Sequence, residues 1–179
     1  PFRIRDLTEK EVMELADALP ENNSVTYLEL MKTDTLTKVS VEAMAKYVCT
    51  NKHLQRLRWN AEMGAHSEGT LCCFLRAFQE STSLKELEMD WPRGGCQSNL
   101  ALENMLSHTQ SLRSLSLIYP DDFLGDIAVA AAQSGLRKNT TLRELTLEFS
   151  QDAATLSPVL TSLHDHPLLR RLCLRKHVD

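Results

Sequence analysis

Long apolar runs are missing from this 179-residue chain: no stretch approaches the roughly 20 residues that cross a bilayer, and no signal-peptide pattern opens it. A helical membrane span is therefore not expected. A strong charge of one sign is missing too. The formal net charge is −4 and the pI is near 5.9; phosphate recognition needs a basic excess, so nucleic acid is not the expected partner. Cysteines are few and odd in number: Cys49, Cys72, Cys73, Cys96 and Cys173. Without framework spacing they read as reduced thiols in a cytoplasmic, intracellular setting. The adjacent Cys72 and Cys73 lack a second cysteine or histidine pair at ligand spacing, so no metal site is expected. Also missing are a nucleophile elbow, paired catalytic carboxylates, a glycine-rich phosphate loop with lysine and any cofactor fingerprint. The chain is expected to be no enzyme, to hold no cofactor and to take no small-molecule substrate. Beginning at Pro1 without an initiator Met, it reads as an excised piece of a longer protein.

What the chain has is 42% hydrophobic and 25% charged residues, the mix of a globular protein with a sizeable core. It also repeats. Six segments share the form Leu-x-x-Leu-x-Leu, anchored at Val25, Leu54, Leu84, Leu112, Leu142 and Leu169, with intervals of 29, 30, 28, 30 and 27 residues. Six residues before each anchor stand Leu19, Val48, Phe78, Leu106, Leu136 and Leu163. Ten before stand Leu15, Met44, Phe74, Leu102, Ala132 and Val159. Thirteen before stand Val12, Val41, Leu71, Asn99, Val129 and Leu156. Steps of three and four residues place these on one helical stripe, with only Asn99 out of character. The stripe keeps fixed register with the segment that follows it. The helix-to-strand turn should therefore have constant length, and the variation in period should fall between each strand and the next helix.

Within the anchor segments apolar residues alternate, as a half-buried strand requires. The inward positions are Leu28 and Leu30, Leu57 and Trp59, Leu87 and Met89, Leu115 and Leu117, Leu145 and Leu147, and Leu172 and Leu174. One short strand and one three-turn helix bury too little apolar surface to offset their ordering entropy, but stacked units share a continuous core. Three residues before the anchors lie Asn22, Asn51, Ser81, Thr109, Asn139 and His166, read as turn residues in the left-handed conformation that ends a helix. Thr8 with Glu11 forms a capping-box pattern at the start of the first helix. Phe2, Ile4 and Leu7 read as the tail of a preceding strand and turn.

This pattern resembles the leucine-rich repeats of the ribonuclease-inhibitor-like class, over residues 8 to 174. The resemblance implies an α/β leucine-rich-repeat solenoid: a horseshoe of six helix–strand repeats with a parallel concave sheet and convex helices, one domain over residues 1–179, excerpted from a longer array. One departure concerns the position three residues beyond the last strand leucine. The family places Asn or Cys there to bond the inner turn; this chain has Thr33, Glu62, Pro92, Pro120, Ser150 and His177. A regular asparagine ladder is not expected on that edge.

The implied function is protein–protein interaction, with a partner protein or peptide held on the concave face and adjoining loops. The alternative is a recognition arm of a larger enzyme, receptor or effector, such as a ubiquitin-ligase adaptor, an innate immune receptor or a bacterial effector. Strand parity assigns the outward residues, and the candidate partner-binding set is Met31, Arg58, Glu88, Asp90, Trp91, Tyr119, Glu148, Phe149 and Arg175. Arg56 beside Glu86 and Arg58 beside Glu88 fall on neighbouring strands and are expected to pair, each contributing about 0.2–1 kcal/mol. Trp91, Tyr119 and Phe149 form an aromatic row just past three successive strands, suited to anchoring a partner. Glu86, Glu88, Asp90, Glu144 and Glu148 beside it suit basic and apolar groups. Six strands about 4.8 Å apart and roughly 17 Å long offer a face of about 500 Å², short of the roughly 800 Å² of a standard interface. Two glycosylation sequons, at Asn22 and Asn139, coincide with the recurring turn position. His164-Asp165-His166 reads as a solvated turn.

Overall fold

The computed structural model describes residues 2–5, 8–31, 37–60, 68–90, 95–119, 126–149, 157–164 and 166–176. Strands and helices alternate through them. The strands are β1 (Phe2–Arg5), β2 (Tyr27–Met31), β3 (Arg56–Asn60), β4 (Glu86–Asp90), β5 (Ser114–Tyr119), β6 (Glu144–Phe149) and β7 (Arg171–Lys176). The helices are α1 (Glu9–Ala18), continued by a 3₁₀ turn at Leu19–Glu21, α2 (Lys38–Thr50), α3 (Glu68–Glu80), α4 (Cys96–His108), α5 (Asp126–Lys138) and α6 (Ser157–Leu163). All seven strands pair in parallel with their sequence neighbours, in the order β1-β2-β3-β4-β5-β6-β7. The six expected strands are therefore joined by a seventh, supplied by the residues read as the tail of a preceding strand.

Registry follows the leucine pattern. One row across the sheet is Leu28, Leu57, Leu87, Leu115, Leu145 and Leu172, and the next is Leu30, Trp59, Met89, Leu117, Leu147 and Leu174. A slip of one residue would turn a whole strand's apolar set outward, so burial fixes the register. From β2 to β6 these side chains are buried in one cluster with the helical stripe, including Val41, Met44 and Val48 of α2 and Leu71, Phe74 and Phe78 of α3. Trp59 lies at the centre of that cluster, with ring centroids 4.2 Å from Phe74 and 6.2 Å from Phe78. Asn99, the exception in the stripe, is buried with its apolar counterparts. Helices α2 to α5 each have 13 residues, about 20 Å at 1.5 Å per residue, which matches the strand they cover.

The turn from helix to strand has one length. Residues 22–26, 51–55, 81–85, 109–113 and 139–143 fill it in five successive units. At three of these turns the opening residue is not left-handed as expected: Asn51 has φ −70° and ψ 133°, Thr109 φ −58° and ψ 133°, and Asn22 φ −94° and ψ 108°. Its side chain makes the turn instead. Asn51 Oδ1 accepts from the backbone N–H of His53 and Leu54 at 2.8 and 2.7 Å, and Asn139 Oδ1 from Thr141 and Leu142 at 2.9 and 2.7 Å. Asn22 Oδ1, Ser81 Oγ, Thr109 Oγ1 and His166 Nδ1 each accept from the anchor N–H of their own unit. A side-chain acceptor on extended backbone satisfies the freed N–H groups without positive φ. The sequon asparagines Asn22 and Asn139 are both used in this way.

A second set of bonds ties each turn to the unit before it. Ser83 Oγ donates to Asn51 O at 2.6 Å, Ser111 Oγ to Ser81 O at 2.6 Å, and Thr141 Oγ1 to Thr109 O at 3.2 Å. On the helix side Glu68, at the start of α3, accepts from the N–H of Gln97 and Ser98 at 2.7 and 3.1 Å, placing a carboxylate at the positive end of α4. Thr37 donates likewise to Glu9. The capping box expected at Thr8 and Glu11 is present, and its hydrogen bonds from Thr8 hold the Glu11 carboxyl below the usual range. Helices α4 and α5 approach closely at Gly135, where a Cβ would fall 2.7 Å from Leu106 Cβ and 3.0 Å from Glu103 O. Glu103 also receives bonds from Ser134 and Lys138, which lower its pKa. No helix among the described residues is long and apolar enough to cross a membrane.

Candidate functional site

The core takes the helical stripe and the inward strand residues, leaving the outward strand residues on the other face of the sheet. Most of these are half-buried or exposed. At the N-terminal side the face is closed by charge. Arg58 Nη1 lies 3.3 Å from Glu29 Oε1 and Arg58 Nε lies 2.9 Å from Glu88 Oε1, so one guanidinium bridges carboxylates on β2 and β4. Arg56 Nε meets Glu86 Oε2 at 2.8 Å directly alongside. Both expected pairs are present. Glu29 is only 1% exposed. Burying a carboxylate is costly unless it is paired, so Arg58 is tied to the fold as well as to the surface. Register places Arg3 of β1 on the far side of Glu29.

Glu29 was not in the candidate set, although its register made it findable. It stands 29 residues before Arg58 in adjacent repeats, which predicts a cross-strand neighbour. What parity could not predict is its burial.

Beyond β4 the face changes character. Ser114, Ser116 and Ile118 run along β5, and Thr146 lies beside Ser116 on β6. Short polar side chains make a low floor here. It is bordered by Glu86 and Glu88 on one side and by Glu144 and Glu148 on the other. Glu144 Oε1 lies 3.6 Å from Arg171 Nη1. The acidic border is therefore partly neutralised by Arg56, Arg58 and Arg171, and the expected attraction for basic groups is weaker than the row of glutamates alone suggests.

Of the nine candidate residues, the structure brings Arg58 and Glu88 into contact and sets Glu148 beside Arg175 in register. Asp90, Ile118, Glu148 and Arg175 form one row across β4 to β7. Met31 closes β2 and pairs in register with Asn60 of β3, so it lies at the β2 end of the same register position. Tyr119 and Phe149 are register partners at the ends of β5 and β6. Trp91 lies outside the described residues, so of the aromatic row only the backbone register of Tyr119 with Phe149 is described. The six positions where the family pattern expects Asn or Cys also lie outside them.

The cysteines are unpaired. Burial raises the Cys72 thiol above its usual range, and burial followed by the hydrogen bond to Glu80 does the same for Cys49. Both thiols are thereby held protonated and weakly nucleophilic. Among the described residues, no three His, Cys, Asp or Glu side chains converge as metal ligands.

No family model matches the sequence, and no curated protein matches it. Solved structures do. Actin-binding site 2 of leiomodin-1 aligns over 89% of this chain and 89% of its own, with a TM-score of 0.65 and 16% identity. The tropomodulin C-terminal domain of Caenorhabditis elegans aligns over 87% of this chain and 93% of its own, with a TM-score of 0.65 and 15% identity. These likenesses establish fold. They also correct the expected assignment to the ribonuclease-inhibitor-like class as an excerpt of a longer array. That assignment rested on a leucine period which any stacked helix–strand repeat must satisfy to fill its core, while the asparagine or cysteine particular to the family pattern is absent. The chain shares its repeat-like α/β fold with leiomodin and tropomodulin domains.

Proposed function

We propose that this chain is a non-catalytic protein-binding module, a single curved horseshoe domain that works in the cytoplasm. Its contact surface is the outward sheet face over β4 to β6 with the adjoining strand-to-helix loops. The observation that carries this reading is the low floor of Ser114 and Ser116 on β5, continued by Thr146 on β6, with Glu86 and Glu88 of β4 on one side and Glu144 and Glu148 flanking Thr146 on the other. A floor of short hydroxyl side chains admits a protruding segment of a partner and offers it hydrogen bonds, while Ile118 supplies apolar contact. Tyr119 and Phe149, with Trp91 just past β4, would anchor the rim, since aromatic residues carry much of the energy of interfaces. The unpaired cysteines support a reducing compartment.

Actin is the first partner to test, because the leiomodin-1 domain of the same fold is an actin-binding site. Co-sedimentation with actin filaments and titration of labelled actin monomers compare the chain with its Ser116→Arg variant, which fills the floor without entering the core. Saturable binding weakened at least about tenfold by the substitution is the expected result, a loss of roughly 1.4 kcal/mol. Binding that Ser116→Arg leaves intact removes the sheet face as the surface. No binding in either format removes actin as the partner.

A further inference from the structure

Charge is not spread evenly along this chain. The six turns that lead from helix to strand, residues 22–26, 51–55, 81–85, 109–113, 139–143 and 166–170, hold five basic residues and no aspartate or glutamate, although the net charge of the whole is −4. The basic residues are Lys52, Lys85, Arg113, Arg143 and Arg170, and the last four share one position, directly before their strands. Backbone bonds set them side by side: Arg113 N–H donates to Lys85 O, Arg143 N–H to Arg113 O and Arg170 N–H to Arg143 O, each at 2.8 Å. Neighbours in the row therefore start about 4.8 Å apart. Lys85 and Arg143 are exposed; Arg113 is half-buried and donates from Nη1 to Thr141 O at 3.1 Å. These three precede β4, β5 and β6, strands with a paired neighbour on both sides.

Within the strands, arginine is matched by glutamate: Arg56 meets Glu86, Arg58 meets Glu29 and Glu88, and Arg171 meets Glu144. Those contacts engage Glu86 and Glu144, the carboxylates next in sequence to Lys85 and Arg143. Among the described residues no carboxylate pairs with Lys85, Arg113 or Arg143. Like charges opposite each other on neighbouring strands are destabilising, and along this row nothing described relieves them. An anionic chain lying across the turns would do so at three positions at once. Thr82, Gln110 and Thr140, exposed in the same turns, add uncharged hydrogen-bonding groups beside the cations.

We propose that the turn rim at Lys85, Arg113 and Arg143 is a docking surface for an extended acidic segment of a partner protein, laid across the turns. Side chains on one side of an extended segment come about 6.6 Å apart, so two or three carboxylates cover a row about 10 Å long. Charge-assisted hydrogen bonds from guanidinium and ammonium groups suit carboxylates. Each exposed pair is weak by itself, so affinity comes from several acting together and falls as salt is added. A long nucleic acid fits less well, since the glutamates of the outward sheet face and the net negative charge repel a polyanion that extends past the rim. The surface lies at the opposite ends of the strands from Tyr119 and Phe149. It is separate from the serine floor, and its test does not depend on actin.

The test uses the full chain with two labelled peptides, one alternating Glu with Ser and the other Gln with Ser, read by fluorescence anisotropy at low salt. The Glu peptide is expected to bind saturably and about tenfold or more tightly than the Gln peptide. Lys85→Glu with Arg143→Glu is expected to weaken that binding about tenfold or more. Lys46→Glu with Arg76→Glu makes the same change of charge at exposed helical positions and is expected to weaken it less than about threefold. Circular dichroism verifies that both double variants fold. If the rim variant does not, Lys85→Gln with Arg143→Gln takes its place, with a loss of about threefold or more expected. Equal binding of the two peptides, no binding of either, or equal weakening by rim and helical variants overturns the proposal. A single-stranded oligonucleotide of the same charge that binds the rim more tightly than the Glu peptide also overturns it, and assigns the row to phosphates.

Discussion

The unit around β3 and α3 and the last unit around α6 and β7 follow the same leucine pattern and come out differently. In the first, Trp59 is buried against Phe74 and Phe78, and its strand has neighbours on both sides. In the last, the strand has a paired neighbour on one side among the described residues, and Leu172 and Leu174 are 42% exposed. The apolar pattern selects which face turns inward. Burial then requires a neighbour on each flank, which is why stacked repeats gain stability from their interfaces.

Substitutions that remove apolar volume should separate the two units most. Trp59→Ala is expected to lower unfolding stability by about 3–5 kcal/mol, whereas Leu174→Ala, already half in solvent, should cost about 1 kcal/mol or less. Urea unfolding midpoints measure both, and equal losses would break the comparison. The turns should differ by less. Asn139→Ala removes two acceptor bonds and the donor bond from Nδ2 to Leu106 O in a buried turn, at a cost of about 2–3 kcal/mol. Asn22→Ala, in an exposed turn, should cost about 1 kcal/mol; denaturant titration of the two variants ranks them.

The smallest effect is confined to the last turn and depends on pH. His166 Nδ1 accepts from Leu168 and Leu169 N–H, which only a neutral ring can do, and burial lowers its pKa below the ordinary value. Because the folded pKa is depressed, the unfolded chain takes up the proton first as pH falls. Stability from this turn is thus complete above about pH 6.5 and declines below it. His166→Asn, the residue found at this position in Asn51 and Asn139, should retain the acceptor and flatten that decline. Stability curves from pH 5 to 8 for the two chains test it, and parallel curves would sink the assignment.

Much of the fold was legible because burial repeats. Leucine spacing placed the strands and their register, and the three-and-four stripe placed the helices. The residues at Asn51 and Asn139 were legible as turns, but their conformation was not: an asparagine can end a helix with left-handed backbone or with an accepting side chain, and the spacing is the same. The hydroxyls of Ser83, Ser111 and Thr141 gave no signal, since their partners are carbonyls a repeat away. At the candidate site, Arg58 with Glu88 followed from strand parity, whereas the burial of Glu29 depends on what stands across several strands at once.

The five-residue turn has a consequence for how such a chain can change. Each of those turns joins a helical stripe to a strand whose alternation has a period of two, so a single residue added within 81–85 would rotate one element against the other and face leucines outward. At the opposite rim, where a strand hands over to the next helix, the spacing already differs from one unit to the next. Length variation is free to accumulate there, beside the carboxyl ends of the strands, and new binding specificities can arise along that rim while the core remains intact.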